Sequence, residues 1–209
     1  MFHKTQNPRA APRTRASLAD RGEPWYPRPM PDRDEYLAFD DARLLADCDV
    51  HLHRSSGPGG QHRNKVCSAV RLRHRPTEVS ASASDSRRQQ DNRRLALRRL
   101  RMRLCCRLRR PVDLDRMAVP KPVRECIYTP RGPGPAAPRR IRLGRRDPRF
   151  WRVAAFLLDL LDATDGRLAP AAGRLGVSTS SFAALLRSER HVLEAAQGIR
   201  RRHGLGGLT

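Results

Sequence analysis

Arg54-Ser55-Ser56-Gly57-Pro58-Gly59-Gly60-Gln61-His62-Arg63-Asn64-Lys65 is the stretch on which the reading of this 209-residue chain turns. Three glycines around one proline make a loop whose backbone reaches positive φ freely and meets a ligand with no Cβ in the way. Arg54, Arg63 and Lys65 suit phosphates, while Ser55, Ser56, Gln61, His62 and Asn64 donate to or accept from an RNA backbone or a reacting ester. The spacing is neither that of a Walker loop nor that of a dinucleotide-binding turn. It reads as a polar tip that enters another molecule's site.

The flanks predict a small sheet. Asp49–Arg54 alternates, with Val50 and Leu52 on one face and His51 and His53 on the other, as in a half-buried strand. Val70 and Leu72 alternate with Arg71, Arg73 and Arg75, and Val79, Ala81 and Ala83 with Ser80, Ser82 and Ser84, across a Pro76-Thr77-Glu78 turn. Ser86-x-x-Gln89 is a capping box for a helix over about 87–109, whose Leu97, Leu100, Leu104 and Leu108 form a stripe to cover the sheet. Eleven arginines from Arg87 to Arg110 accompany one acid, Asp91. That imbalance is too one-sided for a salt-bridged helix and favours an anionic partner, with a merely solvated basic face as the alternative.

Read in order, residues 56–65 resemble the catalytic loop of class I peptide-chain release factors and their ribosome-rescue relatives. The likeness continues through Ser68-Ala69-Val70-Arg71-Leu72, Arg75-Pro76-Thr77 and Arg87-Arg88-Gln89-Gln90-Asp91-Asn92-Arg93, from roughly Asp40 to Arg110. Arg63 stands where valine is usual, Glu78 where glycine is and Arg88 where serine is; Gly59-Gly60-Gln61 is untouched. The resemblance implies an α+β fold, a small β-sheet covered by a long basic helix, here followed by a small all-α, helix-turn-helix-like module. It implies hydrolysis of the ester between nascent peptide and transfer RNA, with Gly59, Gly60 and Gln61 as the catalytic residues. Arg54, Ser56, Gly57, Pro58, His62, Arg63, Asn64 and Lys65, with Arg87, Gln89 and Asn92 on the helix, would contact ribosomal or transfer RNA. The partner is then the ribosome, met by a monomer, with neither cofactor nor metal. A full release factor carries a helical domain and a codon-recognition domain ahead of or around this part, and the little chain before the loop points to rescue without stop-codon reading. Two other classes stay open: a ribosome-bound RNA-binding factor without hydrolysis, and a DNA-binding regulator.

Composition agrees with a polyanionic partner. The formal charge is +22, the pI about 11.5, and 40 of the 43 basic residues are arginine. With no amphipathic apolar face beside it, this charge favours nucleic acid over a membrane surface. Five cysteines, Cys48, Cys67, Cys105, Cys106 and Cys126, form no Cys-x-x-Cys pair, so free thiols in a reducing cytoplasm are expected. Cys48, His51 and His53 lack a fourth metal ligand, and Cys67 with His74 lacks an orienting third group. The first nineteen residues are basic and free of acid, which reads as a disordered arm, with a mitochondrial transit peptide as the minor alternative.

Four segments follow: a basic arm over 1–33 containing Trp25 and Tyr26, the release-factor-like domain over 34–110, a disordered Pro/Arg-rich linker over 111–147, and a helical module over 148–209. A helical lead-in spans about Asp32 to Ala46, with Asp40-Asp41 as a cap. In the module, Asp147-Pro148 opens a helix ended by Gly166, and helices follow over about 169–175 and 179–187. A last helix is capped by Ser188 and stopped by Gly204. Thr179, Ser180, Ser181, Ala183 and Ala184 offer little for base reading, so helical docking is preferred to DNA recognition.

Overall fold

The alternation on either side of the loop becomes a three-stranded antiparallel sheet of β1 (Cys48–His53), β2 (Ala69–His74) and β3 (Ser80–Ala83), in that order. The computed structural model describes residues 32–54, 67–131 and 138–208, all within one unit that runs from Pro31 to Thr209. The Trp25-Tyr26 segment lies outside the described residues. Val70, Leu72, Val79, Ala81 and Ala83 are buried, as the alternation predicts, and Arg71 and Arg73 point to solvent. The turn between β2 and β3 holds Glu78 at φ 57, a left-handed conformation that favours glycine, and Glu78 is ion-paired with Arg73.

Two short helices lead into the sheet, α1 (Arg33–Ala38) and α2 (Asp41–Ala46), and the Asp40 carboxylate caps α2 by accepting from the Arg43 N–H at 2.7 Å. The long helix α3 (Gln89–Arg107) lies against β2 and β3 and buries Ala96, Leu97, Leu100, Leu104 and Cys105 there, whereas Leu108 is only half-buried. Its start differs from a capping box. Arg88 is the N-cap, and the Ser86 hydroxyl accepts from the Arg88 N–H at 3.1 Å while donating to Asp91.

The expectation of a disordered linker over 111–147 is corrected wherever that segment is described. It carries α4 (Lys121–Arg124) and a β-ribbon of β4 (Ile127–Tyr128) and β5 (Arg140–Ile141). Val123 and Cys126 are buried in the core. Arg139 bridges Val177, and the Ile141 N–H donates to the Ser181 hydroxyl at 2.8 Å, so the segment is fastened to the module.

The module comprises α5 (Phe150–Ala163), α6 (Leu168–Leu175), α7 (Thr179–Arg187) and α8 (Arg190–Arg202). Gly176, at φ 63, supplies the left-handed turn out of α6, and the Ser178 hydroxyl caps α7. Glu189 rather than Ser188 caps α8, accepting from the His191 and Val192 N–H groups. α5 is the central helix: Phe150 and every residue from Val153 to Leu161 are buried. One hydrophobic core runs unbroken from Tyr36 and Leu44 through the sheet and α3 to α5 and Ile199, so the boundaries expected at 110 and 147 do not divide it. Among the described residues no helix is long and apolar enough to cross a membrane.

A buried ion pair crosses that core. Arg33 and Asp159 are 5% and 2% exposed, and the Arg33 guanidinium donates to both Asp159 carboxylate oxygens, at 2.9 and 2.6 Å. The Arg110 N–H donates to the same carboxylate at 3.1 Å, and the Arg109 guanidinium lies 3.1 Å from it. Burial works against the Arg33 charge, but Asp159 and then Asp34 outweigh that and hold its pKa above the ordinary arginine value. Arg33 therefore belongs to the folded unit and not to an arm.

Asp159→Ala, which leaves the buried Arg33 with Asp34 alone as counter-charge, should cost about 3–5 kcal/mol in urea denaturation, and Arg33→Met with Asp159→Leu should cost clearly less. A single variant milder than the double would contradict this. His74 gives a second test. It is wholly buried, packs edge-on to Tyr36 at 4.4 Å, and burial lowers its pKa to about 4. The unfolded chain takes up that proton near pH 6.5, so the stability present above pH 6.5 falls as pH drops towards 4. Between pH 7.5 and 5.0 the wild type should lose about 2 kcal/mol more than His74→Gln, and parallel losses would contradict the assignment.

Candidate functional site

β1 and β2 are paired out to His53 opposite Ala69, so the chain leaves β1 at Arg54 and rejoins the sheet at Cys67 and Ser68 side by side. Arg54 and Cys67 are exposed at these two stems. Ser56, Gly57, Pro58, Gly59, Gly60, Gln61, His62, Arg63, Asn64 and Lys65 lie outside the described residues. What the structure defines is the mount: a hairpin end against the start of α3.

Asn92 fixes that mount. Its side-chain amide donates to the Ser68 carbonyl at 2.7 Å and to the Ser86 carbonyl at 2.8 Å, and its side-chain oxygen accepts from the Ser86 N–H at 2.9 Å. One wholly buried side chain thus ties the returning stem of the loop to the approach of α3. The expected RNA contact by Asn92 is corrected accordingly, because a wholly buried asparagine whose amide and oxygen serve three backbone groups of Ser68 and Ser86 is not open to a ligand. Arg87 is exposed and Gln89 half-buried at the same end of the domain.

The arginines from Arg87 to Arg110 divide into two sets. Arg99 forks onto Asp85, 2.9 Å to each oxygen, and holds that carboxyl below its usual range. Arg101 reaches Asp41 at 2.5 Å and the Phe39 carbonyl at 2.8 Å, and Arg103 donates to the Ser80 carbonyl. Arg109 donates to the Cys105 carbonyl, and Arg110 pairs with Asp32 and Asp34. The side chains of Arg87, Arg88, Arg93, Arg94, Arg98 and Arg107 are exposed and make no ion pair with a described residue. Charge counting along the sequence cannot separate the two sets, because the acids that engage the first lie on other elements.

One expectation is placed differently, and two candidates already set aside or disfavoured gain no support. Val50 and Leu52 share a face with the buried Leu72 and Val70, yet are 39% and 48% exposed. β1 is an edge strand, and α3 leans on β2 and β3, so only Cys48 of that face is covered. Cys67 precedes β2 and His74 ends it, roughly 20 Å away along an extended chain, which rules out a thiol–imidazole pair. On α7, Ser181 is engaged by Ile141 and Ala183 is buried, which leaves Thr179, Ser180 and Ala184 exposed on the face considered for DNA. All five cysteines are free thiols, and no cluster of metal-binding side chains exists among the described residues.

With this geometry in view, residues 45–117 match the RF-1 domain family. Peptide chain release factor 1 of Lacticaseibacillus casei is 45% identical over 76 residues, 36% of this chain and 20% of that protein. Its namesake from Limosilactobacillus reuteri is 50% identical over 58 residues, 28% of this chain and 16% of that protein. The relative from Levilactobacillus brevis is 48% identical over 75 residues, 36% of this chain and 20% of that protein. Residues 45–117 therefore form a domain similar to that of the release factors, and the hairpin and α3 described above are parts of it. The match spans a fifth or less of the length of these relatives.

Asn92→Leu should cost about 2–4 kcal/mol in urea denaturation, since it takes the side-chain partner from the buried Ser68 carbonyl and from the half-buried N–H and carbonyl of Ser86. A loss below about 0.5 kcal/mol would show that the amide does not hold the stem.

Proposed function

We propose that the chain hydrolyses the ester of peptidyl-tRNA on the ribosome and frees the nascent peptide without reading a stop codon. The observation that carries this is the family match over residues 45–117, which brackets Gly59-Gly60-Gln61. Water adds to the ester carbonyl, the tetrahedral oxyanion collapses, and the transfer RNA leaves with its ribose hydroxyl. Negative charge grows first on the carbonyl oxygen and then on the leaving oxygen. The main-chain N–H of Gln61 donates to that charge, and Gly59 and Gly60 keep the approach free of side chains. The Gln61 side chain orients the water and excludes larger nucleophiles. Arg54, Ser56, Gly57, Pro58, His62, Arg63, Asn64 and Lys65 hold the loop among the RNA, and Arg87 and Gln89 support its base. No general base is taken from the protein.

The surplus charge supports the stop-codon-independent part. Binding that does not read a codon draws its affinity from phosphate contacts, which are blind to sequence. The exposed arginines of α3 are suited to that task. The chain acts in this reading as a cytoplasmic monomer, and the helical module serves docking.

On purified ribosomes halted without a stop codon, the wild type should release peptide, and Gly60→Ala and Gln61→Pro should slow release by about two to three powers of ten. Equal release by the variants would remove the proposed role of the Gln61 N–H. Binding without release by the wild type would leave a ribosome-binding factor instead.

A further inference from the structure

On the flank of the domain formed by α2, α3 and the entry to α5, there is a cleft of about 630 Å³ whose lining includes Arg98, Arg101, Arg145, Arg146, Arg149 and Arg152. Three aspartates line it too, and each is already committed. Asp40 caps α2, Asp41 accepts from Arg101, and Asp147 accepts from the Arg149 guanidinium at 3.0 and 2.8 Å. Arg98, Arg145 and Arg146 are exposed, Arg152 is half-buried, and none of their side chains pairs with a described residue. Six arginines and three aspartates thus line the concavity, which leaves it an excess of positive charge carried by Arg98, Arg145, Arg146 and Arg152. Such a place focuses positive potential more strongly than a convex basic face does.

The lining also contains Trp151, half-buried and held edge-on to Phe150 at 5.1 Å and 83°. A fixed indole beside unpaired guanidinium groups is the combination that takes a base on its face and a phosphate on its fork. The volume falls within the roughly 300–1,000 Å³ range of ligand-enclosing clefts, enough for about one or two nucleotides and too confined for a duplex. We infer that this cleft binds single-stranded RNA, with Arg98, Arg145, Arg146 and Arg152 on the phosphodiester backbone and Trp151 stacked on a base. This adds a second RNA contact to the proposed function and is independent of the chemistry at Gln61.

The chain has two tryptophans, Trp25 and Trp151, so Trp25→Phe leaves Trp151 as the sole reporter in the full-length protein. Titration with an oligouridylate of about twelve nucleotides should quench that fluorescence to saturation, within the site sizes usual for single strands. Arg145→Ala with Arg146→Ala should weaken binding on the order of tenfold and lower the slope of log affinity against log salt by about 1.4. Arg98→Ala should weaken it too. Arg124→Ala with Arg201→Ala removes the same net charge from exposed positions elsewhere and should leave the affinity nearly unchanged. Absent quenching, equal weakening by the two double variants, or equal quenching by polyglutamate would each overturn the inference. Gln61→Pro should keep this binding while losing release, so failure of the cleft and failure of the hydrolysis are read separately.

Discussion

The Arg33–Asp159 pair is the constraint from which the rest of the architecture follows. Removing two charges from water is costly, and the cost is offset here because the guanidinium forks onto both oxygens and also donates to Asp34 and the Leu108 carbonyl, while the Arg110 N–H adds a bond to Asp159. One carboxylate on α5 thereby fixes three things at once: the start of α1, the end of α3 and the axis of the helical module. The release-factor domain and the module are consequently not beads on a string. They share a core, and the base of the Gly59-Gly60-Gln61 loop is held in a set orientation to the helices behind it.

Where the sequence was legible, periodicity made it so. The alternation of Val70 and Leu72, then of Val79, Ala81 and Ala83, and the leucine stripe of α3 became the inner faces of the sheet and its covering helix. The helix-turn-helix spacing around Gly176 is there as read, with glycine at the one left-handed position. β1 broke the pattern because alternation reports two faces, not whether a neighbour covers either. Val50 and Leu52 sit beyond the reach of α3.

The segment over 111–147 was obscured by composition. Proline and arginine dominate it, yet Val123 and Cys126 are buried in the core and Leu114, Met117, Val119, Ile127, Ile141 and Leu143 pack against it. Asp159 carried a signal that went unread: a single acid inside the apolar run from Val153 to Leu161. A buried acid needs a cation, and the partner lies 126 residues away, which local reading does not reach. Asn92 was singled out as an RNA contact on resemblance, whereas its burial and three backbone bonds make it the residue that positions the loop stem. The same side-chain amide suits either role, and only its surroundings decide between them.

What emerges is a division of labour among basic residues. Arg33, Arg99, Arg101, Arg103, Arg109 and Arg110 hold the protein together, while the exposed arginines of α3 make no ion pair with a described residue and, with those of the lateral cleft, are the ones proposed to meet RNA. The central claim is that a rigid, arginine-faced body delivers one main-chain N–H to an ester positioned by RNA. A structure of the chain bound to a ribosome stalled on peptidyl-tRNA tests it most directly. The account predicts the Gln61 N–H within hydrogen-bond reach of the ester oxygen in the peptidyl-transferase centre, with the body against ribosomal RNA through α3. A bound chain whose Gly59-Gly60-Gln61 segment lies away from that ester would contradict it.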